Sequence, residues 1–149
     1  MIKGKPPRLG LIYVSQPLYF VTFCALHRSQ RLATNEVHEN FRGYCLDGMN
    51  HNVAVGRYVI MPDHIHLFVR GSVDFRLGVW IRGLKRALAT AVPAGDKIWQ
   101  PGFFDHILRS DEGYAEKWNY VRDNPVRAGL AESADEWPYQ GEIVWIDRT

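Results

Sequence analysis

The stretch that decides the fold runs VAVGRYVIMPDHIHLFVR, from Val53 to Arg70. Val53–Met61 and His64–Arg70 are rich in β-branched and aromatic residues, which suit a pleated, half-buried surface. Pro62-Asp63 between them is a turn dipeptide, so the pair reads as a tight antiparallel hairpin. Side chains alternate between faces along a strand. In the second strand Ile65, Leu67 and Val69 therefore point one way, and His64, His66 and Phe68 the other. The aliphatic set belongs on a core. Two histidines and a phenylalanine are then expected on an open face, better placed for a ligand than for packing.

Working outward, Leu18–Leu26 (LYFVTFCAL) reads as a buried strand. Thr34–Met49 reads as a helix, with Thr34 as its cap and Val37, Phe41, Tyr44 and Cys45 near a 3.6 period. After the hairpin, Asp74–Val92 carries Leu77, Trp80, Ile81, Leu84 and Leu88 at amphipathic spacing, with Arg82, Lys85 and Arg86 on another face. Pro93 and Gly95 end it. Phe103–Arg109 is a further strand, and Asp111 opens a helix to about Asn124, where Pro125 breaks or restarts it and Gly129 can close it. In the tail a short strand is expected at Ile143–Ile146. The order strand, helix, strand, strand, helix, strand, helix is α+β. It is the ferredoxin-like, split βαβ pattern, with two helices on one face and an added C-terminal helix carrying Tyr120. The 149 residues fit one domain, with an irregular basic arm at 1–17 and a tail at 131–149.

Composition narrows the functional classes. Hydrophobic residues make up 46% and charged residues 23%, which excludes extended disorder. No apolar run reaches the roughly 18 residues of a membrane span. The N-terminus lacks the apolar run of a secretory signal, so a cytoplasmic location is the default expectation. Cys24 and Cys45 have apolar or aromatic neighbours and read as buried free thiols in a reducing compartment. Net charge is only +2, but its distribution is uneven. Met1–Arg31 holds Lys3, Lys5, Arg8, Arg28 and Arg31 with no acidic residue, and Arg70–Arg86 holds five basic residues against Asp74 alone. Two basic segments suit a local polyanion site or, equally, ordinary solvated faces.

Three features could carry chemistry. His64 and His66 sit about 6–7 Å apart at Cα on one strand face, so their rings can converge on one divalent ion. Tyr120, in WNYVRDN, lies in the last long helix. Its phenol, protonated at neutral pH, becomes a nucleophile only where a metal or base assists. Asn124, four residues on, would share its helix face and offer an amide oxygen to the ion, or else cap the helix that Pro125 restarts. Asp63 either shapes the turn or orients a histidine. His106, beside Asp105, is structural or touches DNA or metal. His27, His38 and His51 read as surface residues.

The motifs YVIMPDHIHLFV, WQPGFFDHILR and YVRDNPVRAGL, in that order, together with YFVTF, strongly resemble the REP-associated tyrosine transposases. These are relatives of the single-tyrosine HUH, IS200-like transposases. The resemblance covers roughly Leu18–Leu130. It implies that His64 and His66 bind a catalytic Mg²⁺ or Mn²⁺ and that Tyr120 attacks DNA. Cleavage then leaves a 5′-phosphotyrosine and a free 3′-hydroxyl, beside hairpins formed by repetitive extragenic palindromes. Insertion-sequence relatives place a glutamine ligand four residues after the tyrosine, where this chain has Asn124. They are dimers with shared active sites, whereas the REP-associated branch implies a monomer. Phe68, Tyr58 or Phe104 would stack on bases of the single strand. Arg82, Lys85, Arg86, Arg31 and the basic arm would meet phosphates. The alternatives are a non-catalytic nucleic-acid-binding module, a hydrolase in which water attacks, and a structural partner protein.

Overall fold

The computed structural model describes residues 16–93, 97–108 and 113–146. Most of the basic arm, Gly95, Arg109, Asp111 and the last three residues lie outside these. Five strands form one sheet: β1 (Leu18–Cys24), β2 (Val53–Ile60), β3 (His64–Gly71), β4 (Phe104–Leu108) and β5 (Gln140–Glu142). Their order is β4-β1-β3-β2-β5, and every neighbouring pair is antiparallel. Helices α1 (Asn35–Gly48) and α2 (Leu77–Ala89) cover one face. Helix α3 (Tyr114–Val121) packs on the other and is followed by the short α4 (Asn124–Arg127). This is the expected ferredoxin-like α+β arrangement.

The first face is mainly aliphatic. Ile65, Leu67 and Val69 of β3, with Val21 and Phe23 of β1, pack on Val37, Phe41 and Cys45 of α1 and Ile81, Leu84 and Leu88 of α2. The Thr34 side chain accepts from the Val37 N–H at 3.1 Å and so starts α1 as its composition predicts. Asn40 ties α1 to α2 by donating to the Ala87 carbonyl at 3.0 Å, and the Tyr44 hydroxyl does the same to the Trp80 carbonyl at 3.0 Å.

Strand β2 departs from simple alternation. Val55 pairs with Val69, yet Tyr58 pairs with Leu67, so an extra residue is accommodated as a bulge at Gly56–Arg57. The bulge turns Tyr58 into the helical face, fully buried, where its hydroxyl meets His38 Nε2 at 2.7 Å and Arg42 at 3.2 Å. Base stacking by Tyr58 is thereby ruled out. His38 is half-buried against Tyr58 rather than a plain surface residue. On the bulge itself, the Arg57 N–H donates to the Tyr114 hydroxyl at 2.6 Å. A Cβ on Gly56 would lie 2.3 Å from that same oxygen. A glycine here is what lets the first residue of α3 dock onto β2.

The second face was expected to be open, and α3 covers part of it. Tyr114, Trp118 and Val121, one stripe of α3, pack on Leu18, Val59, Phe68, Leu108 and Ile146. Phe68 is fully buried, its ring 4.6 Å from Tyr114 and 6.4 Å from Trp118. Burial of such a side chain stabilises by about 1.5–3 kcal/mol. Phe68 belongs to a second core and cannot stack on bases.

The tail also differs from expectation. Its strand is Gln140–Glu142, paired with Arg57–Val59, rather than Ile143–Ile146. Ile143 and Val144 follow it, donating to the Gly56 and Val55 carbonyls across the bulge, where regular pairing stops. Both are buried. Among the described residues, no helix is long and apolar enough to cross a membrane.

Candidate metal and nucleophile site

Cross-strand register sets out the site. On the α3 face, Phe104 of β4, Thr22 of β1, His66 of β3 and Val59 of β2 form one row. His106, Phe20 and Phe68 form the next. The hairpin alternation that placed His64 and His66 on one face is therefore realised, and their rings stand 4.7 Å apart, nearly perpendicular. His106 shares the face but sits exposed on the edge strand.

Each histidine has its Nδ1 engaged. His64 Nδ1 lies 2.7 Å from Asp63 Oδ1, and an ionised carboxylate only accepts, so Nδ1 carries the proton. Asp63 Oδ2 in turn accepts from Arg28 Nε at 3.0 Å. Burial raises the Asp63 pKa, but the hydrogen bonds from His64 and Arg28 outweigh it and hold the carboxyl below its ordinary value. His66 Nδ1 lies 2.7 Å from the Thr22 hydroxyl, and its ring stacks on Phe20 at 5.3 Å. Burial, then the charges of His64, Lys117, Arg127 and Arg28, push the His66 pKa down to about 3. His66 is neutral at physiological pH.

An imidazole whose Nδ1 carries the proton, as the Asp63 contact sets for His64, presents Nε2 as a lone-pair donor, the form in which histidine binds a metal. The Thr22 hydroxyl can accept from His66 Nδ1 and give the same form there. The pair thus fits a divalent ion. Among the described residues, no group of three His, Cys, Asp or Glu side chains could hold a metal. A third ligand would have to come from an amide, water or substrate oxygen.

Tyr120 lies on α3 away from the buried stripe and is 65% exposed. Lys117, three residues earlier and on the same flank, places its ammonium 4.9 Å from the Phe20 ring that stacks on His66. Among the described residues no hydrogen bond or ring contact joins Tyr120 to either histidine. Asn124 does not continue the helix of Tyr120: α3 ends at Val121, and Asn124 is the first residue of α4. Pro125 has no N–H to reach the Val121 carbonyl, so the helix must break there. The shared-face argument for Asn124 falls with that break. Nor is Asn124 the cap residue, which is Asp123, without a side-chain capping bond.

The basic residues expected on DNA are scattered. Arg82, Lys85 and Arg86 belong to α2, on the opposite side of the sheet from the histidines. Lys85 is committed to structure, donating to the Gln100 and Gly102 carbonyls at 3.1 and 2.6 Å. Burial lowers its pKa. Arg31 is exposed and bonds Ser29 and the Pro93 carbonyl. The site instead gathers Arg28, Lys117 and Arg127. Arg28 was visible only as part of a basic segment. Its approach depends on left-handed backbone at His27 and Arg28 (φ 56° and 52°), a conformation costly for non-glycine residues. Thr22 and Phe20 became legible only through their cross-strand pairing with β3.

Comparison with known proteins agrees with this fold. No protein-family model matches the chain. A Haemophilus influenzae protein provisionally assigned to the REP-associated tyrosine transposases is 27% identical over 136 residues, covering 82% of this chain and 77% of that protein. The Escherichia coli K12 REP-associated tyrosine transposase is 25% identical over 130 residues, covering 85% and 77%. The solved structure of a REP-associated tyrosine transposase bound to a REP hairpin matches with a TM-score of 0.71 at 24% identity, covering 86% of this chain and 78% of that one. In sequence this chain is similar to REP-associated tyrosine transposases, and it shares the fold of one of them.

Proposed function

We propose that the chain is a metal-dependent, single-stranded DNA endonuclease and transposase acting at REP-type hairpins, with Tyr120 as nucleophile. The observation that carries this is the pair His64 and His66, each tethered at Nδ1, with His66 held neutral, on the face that α3 shares. A Mg²⁺ or Mn²⁺ ion held by the two imidazoles, with Asn124, water or a phosphate oxygen completing the shell, would supply Lewis-acid neutralisation of the scissile phosphate. The protein's own residues do the rest. Asp63 and Thr22 fix the two rings. Arg28, Lys117 and Arg127 make the surroundings cationic, which favours a polyanion and makes binding salt-sensitive. Phe104, 65% exposed in the row with His66, is available to stack on an unpaired base.

In the step itself, Tyr120 Oη forms a bond to the scissile phosphorus as the P–O3′ bond breaks. The phenolic proton passes to solvent, and the departing 3′-oxygen takes a proton from solvent to leave as a hydroxyl. The product is a 5′-phosphotyrosine that stores the bond for rejoining. In this reading the chain acts as a monomer, with a dimer as the alternative, in the cytoplasm. The test is incubation with a library of labelled hairpin oligonucleotides carrying single-stranded flanks, with Mg²⁺ or Mn²⁺, read on a denaturing gel. A covalent adduct lost in Tyr120→Phe and in His64→Ala is expected. Binding without cleavage would favour a non-catalytic module, and cleavage without an adduct would favour attack by water.

A further inference from the structure

The break at Pro125 has a second effect. As the chain re-enters helix at Asn124–Arg127, it returns Arg127 to the end of α3 that carries Tyr120. The Arg127 Cζ lies 4.1 Å from the centroid of the Tyr120 ring. Its Nη1 donates to the Tyr120 carbonyl at 2.9 Å. Its charge is also among those acting on His66. Arg127 is thus tied to Tyr120 at two points.

We propose that Arg127 is the positioning residue for the nucleophile: it grips the face of the Tyr120 ring, fixes its main chain, and sets a guanidinium beside the phosphate that Tyr120 attacks. This deepens the transesterification reading and rests on it. A stack on the ring face restricts the phenol while leaving Oη unobstructed. A guanidinium has five N–H donors, and one suffices for the carbonyl, so the fork keeps donors for a phosphate oxygen. Lysine carries the same charge but cannot stack as a plane or bind in two-pronged fashion.

The test uses the full chain and whichever hairpin from the library gives the wild-type adduct. Arg127→Gln should slow single-turnover adduct formation by about 100-fold, the scale expected for a misplaced reacting group. Hairpin affinity by fluorescence anisotropy should fall by a much smaller factor than the rate, since Arg127 is one of several cationic groups around the site. Melting temperature should stay at the wild-type value. Arg127→Lys should recover only part of the rate, and millimolar guanidinium should raise the rate of Arg127→Ala. Wild-type cleavage by Arg127→Gln, a loss confined to affinity, or a loss that tracks melting temperature would each overturn the proposal while leaving the transesterification reading intact. If the wild type yields no adduct with any hairpin, the reading fails first and this inference with it.

Discussion

The two faces of the sheet are built from the same strands and differ in almost everything else. Under α1 and α2, Ile65, Leu67 and Val69 meet Ile81, Leu84 and Leu88 in a mainly aliphatic layer that also holds Phe23, Phe41 and Tyr58. Under α3 the layer is smaller and centred on aromatic rings: Phe68 meets Tyr114 and Trp118, and beside Phe68 the strand carries His66 and His64. One face has only to exclude water. The other must bury enough surface to hold α3 while keeping two imidazoles and a phenol available. That division explains why a single strand alternates residues of such different character.

The comparison breaks most sharply at the histidines. The double variant His64→Ala, His66→Ala should reduce adduct formation by about 10³-fold or more, as removal of a catalytic constellation does, while the aliphatic face and the fold survive. Retention of activity would show that the aromatic face carries no metal chemistry. Next in size are paired core truncations. Phe68→Ala should cost about 3–5 kcal/mol and Leu84→Ala about 2–5 kcal/mol in denaturant titration. Activity per folded molecule should fall only for Phe68→Ala, because only that layer supports α3. Equal activity losses would erase the distinction between the faces.

Acid should sharpen it. His66 has a folded pKa of about 3, below its unfolded value near 6.5. Its contribution is therefore fully present above pH 6.5 and lost as pH falls toward 3, by up to about 1.4 kcal/mol per pH unit. His66→Asn should flatten stability over that window, measured by urea unfolding at stepped pH. An unchanged slope would contradict the buried, neutral imidazole. Smaller again, Asp63→Asn should weaken Mn²⁺ binding, followed by electron paramagnetic resonance, by about 10–100-fold, the usual effect of losing a hydrogen bond that orients a ligand. Smallest of all, Arg82→Ala on the opposite side should alter hairpin affinity by less than about twofold, within the range of a surface change remote from the site. A large loss there would mean that DNA wraps onto the helical layer.

How far the sequence could be read follows the same divide. Period-two alternation depends only on neighbours in the chain, so the hairpin, the aliphatic core and the shared face of His64 and His66 were all legible. The covering of Phe68 was not, because it depends on where α3 docks, and that is set by the bulge at Gly56 and the Tyr114 hydroxyl bound to it. The same bulge turned Tyr58 inward. Asn124 illustrates a spacing rule overridden by one proline. Lys85 counted as a charge on a helix face, yet its ammonium is spent on the carbonyls of Gln100 and Gly102. Arg28, Thr22 and Arg127 act through partners distant in sequence or across a helix break, which no periodicity reveals.

The central claim is that the aromatic face delivers a covalent protein–DNA bond through one side chain. The most direct measurement is peptide mapping by mass spectrometry of the adduct trapped on a hairpin oligonucleotide with Mn²⁺. The account predicts a nucleotide mass on the peptide containing Tyr120 and none in Tyr120→Phe. An adduct on another residue, or cleavage by wild type with no modified peptide, would contradict it.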